Sequence, residues 1–263
     1  MYALGAIVAT AIAVFARRVR ALNNDGATAA VAVGTVTFGA LGPGGAAVLL
    51  AFFVPSVAFS RLGRARKRTL LVDVEKSSAR DARQVVANGG VAAVCALAAR
   101  RGDGRYATAF AGALAAANAD TWGTEIGTLA RGRPRSILTW RLRPAGLSGG
   151  VTFAGTLAEL GGAALVAFVA ARTLPIARRS FAIITTAGFA GAIVDSLLGA
   201  SLQRLFWCDA CHRATERRRH VCGGNTRRIR GLACIDNDAV NIAATLTGAL
   251  VAYAAANQDG RSP

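Results

Sequence analysis

Charge is scarce in this chain. Asp, Glu, Lys and Arg together make up 17% of its 263 residues, and acids are scarcest, fourteen against thirty-one basic residues. No internal repeat is evident, and no low-complexity tract stands out beyond residues 258–263. Nor does any basic residue precede the first apolar segment, which is the wrong polarity for a cleaved signal peptide; that segment reads as a retained span. What fills the chain is small and apolar: 53% hydrophobic residues and thirty glycines, with mean hydropathy +0.41. This composition excludes an ordinary soluble domain and matches a polytopic helical membrane protein. Small residues let helix backbones approach where no hydrophobic force acts between helices.

Eight apolar segments can be read, at 3–16, 27–41, 46–60, 85–99, 107–125, 149–171, 181–205 and 238–256. Several fall short of the ~20 residues of a comfortable span. The expected fold is therefore an all-α bundle of about eight transmembrane helices, or seven if one of the first three segments is re-entrant. Residues 1–263 form a single membrane domain, with a basic loop at 61–84 and a Cys-rich loop at 206–235.

The net charge of +17 would point to nucleic acid in a soluble protein. Here the arginines alternate with apolar segments, so they are read as setting orientation and meeting anionic lipid headgroups; nucleic acid is not an expected partner. The loops after the first, third, fifth and seventh segments hold most of the basic residues. That puts them in the cytoplasm of an integral cell-membrane protein, with both termini outside if there are eight spans.

The polar residues collect at the cytoplasmic helix ends. Asn118-Ala119-Asp120-Thr121-Trp122-Gly123-Thr124-Glu125-Ile126-Gly127 closes the fifth segment. Asp and Glu are among the costliest side chains to place in hydrocarbon, so a chain that keeps both here uses them. Asp120, Glu125, Asp195, Asp236 and Asp238 are hard oxygen ligands suited to Mg²⁺ shared with a phosphate. The glycines of Asn88-Gly89-Gly90 and Ser148-Gly149-Gly150 would free backbone N–H groups for phosphate at helix N-termini, and basic residues of the 61–84 loop would neutralise more phosphate charge. On a continuous helix Asp120 points away from the face shared by Asn118, Thr121, Trp122 and Glu125. Both acids then reach one site only if the helix breaks, for which Gly123 and Gly127 are candidates. Asp236 and Asn237 also suit the cap of the eighth helix. Glu159, in the middle of the sixth segment, has no assigned role.

Cys208-Asp209-Ala210-Cys211 followed by His220-Val221-Cys222 offers four soft ligands for structural Zn²⁺, with His212 or Cys234 as substitutes for the fourth. Cys95 is a packed small residue in a span. A catalytic cysteine is disfavoured because no Cys–His pair joins an oxyanion device.

The 118–127 string, with Arg83-Gln84-Val85-Val86-Ala87-Asn88-Gly89-Gly90, Ser148-Gly149-Gly150-Val151, Asp195-Ser196-Leu197-Leu198-Gly199-Ala200 and Asp236-Asn237-Asp238-Ala239-Val240-Asn241, resembles the integral membrane family that includes plant and cyanobacterial phytyl-phosphate kinases. The likeness runs in order from about residue 23 to 256. It implies Mg²⁺-dependent phosphorylation of a prenyl monophosphate lipid to the diphosphate by a nucleoside triphosphate, CTP being favoured. Asp120, Glu125 and Asp195 would then be catalytic, holding Mg²⁺ with Asp238. Lys67, Arg80, Arg83, Asn88, Gly89, Ser148, Gly149, Asp236, Asn237 and Asn241 would bind nucleotide and phosphate. The rival readings are a cytidylyltransferase acting on a lipid phosphate and an ion-coupled transporter. Assembly into a homo-oligomer is left open.

Overall fold

The computed structural model describes residues 1–70, 73, 79–130 and 132–256. Glu75 and Lys76 of the basic loop, and Arg131, lie outside the described residues.

The chain forms an all-α membrane bundle, as its composition requires. Helices α1 (Tyr2–Arg18), α2 (Asn24–Arg61), α4 (Ala82–Ala99), α5 (Gly104–Leu129), α6 (Phe153–Thr173), α7 (Ser180–Ser201) and α8 (Asn237–Ala256) build it, and a short α3 (Arg64–Leu70) lies between α2 and α4. By length and composition five of these helices can cross a membrane: α2, α4, α6, α7 and α8. The second and third apolar segments both fall within α2, which is interrupted at Gly42 (φ 64°, ψ −156°). Glycine takes this positive φ without steric penalty, and Pro43 after it can start a helical limb but not continue one. The two limbs fold back together: Ala27 and Ala30 of the first and Phe53 and Val57 of the second pack on the same cluster of Ala16, Ala21 and Leu22. With α1 and α4–α8, the two limbs account for the eight apolar segments.

Helix α5 is central, its residues buried on all faces from Ala107 to Ala119. It packs against α2, α4, α6, α7 and α8. A helix walled by protein need not be lipophilic, which is why α5 can carry polar residues that a lipid-facing span would not tolerate. Small residues permit this crowding. A Cβ on Gly112 would run into the carbonyl oxygen of Gly248 on α8 and lie 2.5 Å from the Ala252 methyl.

Two expected loops have regular structure. Helix α3 occupies part of the 61–84 segment. The Cys-rich segment is a three-stranded antiparallel sheet of order β4-β3-β5, with β3 (Leu205–Cys208), β4 (Arg213–Thr215) and β5 (Thr226–Arg230). A two-residue pair, β1 (Arg135–Ser136) and β2 (Gly150–Val151), precedes α6.

Candidate functional site

One cavity of about 560 Å³ lies where the C-terminal ends of α5 and α7 meet the N-terminal ends of α4, α6 and α8. Asp120, Glu125 and Asp195 all line it. So do Lys67, Arg80, Asn88, Ser148, Gly149, Asn237 and Asn241. Residues separated by more than 170 positions in the chain thus share one polar space, at the end of the bundle where the sequence concentrates them.

No helix break is needed to bring the acids together. Helix α5 runs through Gly123 and Gly127 to Leu129. Asp120 and Glu125, five residues apart, are about 140° apart around it, and the cavity wraps that far around its end. The two glycines serve close packing on α6. A Cβ on Gly123 would lie 2.5 Å from Glu159 Cγ, and one on Gly127 would lie 3.0 Å from Thr152 Oγ1.

Glu125 is held by Lys67 of α3. The ammonium lies 2.5 Å from Glu125 Oε2 and also donates to the Phe59 carbonyl at 2.6 Å. Only 6% of the Lys67 side chain is exposed, and a buried charge of this kind needs such a partner. The Arg80 guanidinium lies 5.6 and 5.7 Å from the ring centres of Phe52 and Phe53, a cation–π arrangement. Burial lowers its pKa and the Glu125 charge opposes this.

Four expected site residues lie elsewhere. Arg83 is exposed and does not line the cavity, because α4 begins at Ala82 and turns that side chain outward. Gly89 sits in the third turn of α4, so its N–H is not at a helix start; a Cβ there would lie 3.1 Å from Val33 Cγ1. The true cap is Asp81, which accepts from the Gln84 N–H at 2.9 Å. Asp236 caps α8 by accepting from the Ala239 N–H at 3.0 Å, and it pairs with Arg204 at 3.4 Å. Asp238 is not among the lining residues; Asn237 and Asn241, four apart, share the inward face of α8, and Asp238 is about 100° away from Asn237.

Ser148 and Gly149 reach the cavity, but not as a helix N-terminus. They belong to the turn before β2, and α6 is capped by Thr152, which accepts from the Gly155 N–H at 3.0 Å. Gly149 has φ +80° and packs against the Ala200 backbone, a conformation and a closeness that both require glycine. Asn118, the first residue of the 118–127 string, is structural: Ser56 Oγ donates to its Oδ1 at 3.2 Å, and its Nδ2 donates to the Gly162 carbonyl at 2.8 Å.

Glu159 is the residue sequence reasoning missed. It lines the cavity from α6 at 8% exposure, and its Oε2 is buried without a hydrogen-bond partner among the described residues. The signal was present, since an isolated acid in the middle of a span is a functional candidate by default. Gln84 and Arg217 also line the cavity.

Beside the cavity, Cys208, Cys211, His220 and Cys222 place one ligand atom each within 4.8 Å of one another. Cys208 Sγ and Cys222 Sγ are 3.7 Å apart, and His220 Nδ1 is 3.2 Å from Cys222 Sγ. His220, then the neighbouring backbone N–H of Gly224 and the Cys211 thiol, lower the Cys222 pKa to about 6. His212 and Cys234, the substitutes, are exposed and outside the group. His220 Nε2 lies 2.9 Å from Asp73 Oδ1. The Asp73 carbonyl accepts from the Glu216 N–H at 2.8 Å, and Glu216 Oε1 accepts from the Ser148 N–H at 2.8 Å. A continuous set of contacts therefore links the cysteine centre to the cavity rim.

The chain is similar in sequence to several known proteins. Protein PGR of Arabidopsis thaliana is 29% identical over 266 residues, 91% of each chain. An uncharacterized membrane protein of Methanocaldococcus jannaschii is 30% identical over 199 residues, covering 75% of this chain and 82% of that one. Protein VTE6, chloroplastic, also from Arabidopsis thaliana, is 26% identical over 191 residues, covering 70% of this chain and 57% of that one. No solved structure matches. The model of the family described as integral membrane protein DUF92 matches residues 7–249. The chain belongs to that integral membrane protein family.

Proposed function

We propose that this protein transfers a phosphoryl group from a nucleoside triphosphate, CTP being favoured, to a prenyl monophosphate, giving the diphosphate. The observation that carries the reading is the convergence of Asp120 and Glu125 from α5, Glu159 from α6 and Asp195 from α7 on one cavity also lined by cationic side chains. Phosphoryl transfer needs positioning and charge neutralisation more than covalent chemistry. Carboxylate oxygens are the donor set that Mg²⁺ prefers, so Asp120, Glu125 and Asp195 would hold it. When bound, the ion would neutralise triphosphate charge. Lys67 holds the Glu125 carboxylate in place, and Arg64, Arg80 and Arg217 line the same cavity, where phosphate oxygens would meet them. Asn88, Asn237 and Asn241 supply amide hydrogen bonds to the same space. The acceptor is already an anion, so no strong base is required. The unbroken α5 and α7 count against a transporter, whose ion sites rely on discontinuous helices.

The test incubates purified protein with Mg²⁺, labelled CTP or ATP, and C10–C20 prenyl monophosphates. Labelled prenyl diphosphate with release of nucleoside diphosphate is the expected result. Release of pyrophosphate with a CDP-linked lipid would assign the rival cytidylyltransferase reaction instead.

The cysteine centre is proposed to hold a structural Zn²⁺ through Cys208, Cys211, Cys222 and His220 Nδ1. The 3.7 Å sulfur separation fits two corners of a tetrahedron with Zn–S near 2.3 Å. Asp73 on the far ring nitrogen fixes the histidine tautomer, a common support for a zinc-bound histidine. Purified protein should carry about one zinc per chain by elemental analysis, and Cys208→Ser with Cys211→Ser should remove it. Metal content unchanged in that double variant would refute the assignment.

A further inference from the structure

A second cavity, of about 100 Å³, lies between α1, both limbs of α2 and α4. Its walls are apolar, with Ile12 from α1, Val33 and Phe38 from the first limb of α2, and Leu49 and Phe52 from the second. Among the described residues that line it, Arg80 is the charged one, with Gln84 and Asn88 beside it. The same three residues line the polar cavity. The two spaces meet there.

The junction is fixed by backbone contacts. The Arg80 N–H donates to the Ala21 carbonyl at 3.0 Å, and the Asn23 N–H donates to the Arg80 carbonyl at 3.1 Å. These bonds tie the residue to the connection between α1 and α2, at the inner end of the groove. Gly26 leaves the space, since a Cβ there would strike the Arg80 carbonyl. Gln84 and Asn88 follow at one-turn spacing on α4. Arg80 thus presents its cation above two aromatic rings that belong to the groove.

The groove follows α1 from Gly5 to Ala16, about 17 Å at 1.5 Å per residue. Val8, Ile12 and Leu50 along it are half-buried, so it opens sideways to the surrounding lipid. An apolar channel with one cation at its inner end complements a molecule with a hydrocarbon tail and an anionic head.

We infer that this groove holds the tail of the isoprenoid monophosphate, with its phosphate against Arg80, Gln84 and Asn88 and facing the polar cavity. The inference rests on the phosphotransfer reading for the identity of the lipid. It assigns α1 and α2 a role in selecting the tail, and lets the acceptor enter from the bilayer without leaving hydrocarbon. Ala30 and Leu49 line the groove half-buried, so added bulk at either position fills it.

The test uses the purified protein in lipid nanodiscs with a farnesyl monophosphate carrying a tail diazirine, and maps the labelled peptides by mass spectrometry. Labelling is expected on α1, α2 and α4, competed by unlabelled farnesyl monophosphate and not by farnesol. Ala30→Trp and Leu49→Trp should each lower groove labelling at least tenfold; two separate positions guard against misfolding of either variant. Labelling confined to α6 or α7, or unchanged in both folded variants, overturns the assignment. Turnover measured in parallel separates the two ideas. Competed groove labelling without diphosphate formation keeps the lipid site and removes the kinase reading. Diphosphate formation without groove labelling does the reverse.

Discussion

Replacing Asp120 by Asn should reduce phosphoryl transfer by at least a thousandfold, about 4 kcal/mol of barrier, while leaving the protein in the membrane at normal abundance. The two side chains have nearly the same shape, and Asn keeps hydrogen-bonding capacity, so the fold loses little. What it loses is the negative charge at the point where the cavity draws acids from α5, α6 and α7. Catalysis of this kind is mostly preorganised electrostatics, and removing one charged group from the reacting centre has a large effect on rate. Asp195→Asn should behave similarly. Asp236→Asn should not, because Asp236 caps α8 outside the cavity, and Asn caps a helix about as well as Asp. Turnover of the Asp120 variant within tenfold of the parent would remove Asp120 from the reacting centre.

The second large effect concerns assembly. Gly112→Leu should abolish monodisperse, folded protein in detergent. Any Cβ at residue 112 meets the Gly248 carbonyl and the Ala252 methyl at the crossing of α5 and α8. The first obstacle is backbone, which cannot rotate away as a side chain can. Overpacking a well-packed interior costs roughly 1–3 kcal/mol, and more where backbone must move. In a membrane bundle this close approach is itself the attraction between helices. Gly112→Ala should lower thermal stability by a smaller amount. Gly132→Leu is the control, since among the described residues nothing lies within 4 Å of a Cβ there; size-exclusion profiles for the Leu variants at 112 and 132 should diverge sharply. Equal profiles would show that the α5–α8 crossing tolerates separation.

The elements were largely legible from hydropathy. The apolar segments became the helices of the bundle, and the break between the second and third was marked by Gly42-Pro43-Gly44. The grouping of the four cysteine-centre residues was readable from spacing alone, because a Cys-x-x-Cys turn and a nearby His-x-Cys turn bring their side chains together locally. Where reading failed, tertiary packing had intervened. Asn88-Gly89-Gly90 looked like a helix start, but Asp81 captures that role seven residues before Asn88. Arg83 and Arg80 are equivalent in composition, yet only Arg80 faces the cavity.

By itself, the sequence determined the membrane class, the approximate helix positions, the end of the bundle where polar groups gather, and the grouping of Cys208, Cys211, His220 and Cys222. Only the tertiary structure decided which acids meet. Glu159 joined Asp120 and Asp195, while Asp236 and Asp238 stayed outside. The physical reason lies in α5. A helix buried on every face and built from small residues has no amphipathic stripe. Its rotation is set by the fit of neighbouring helices, and that fit determines where each carboxylate points.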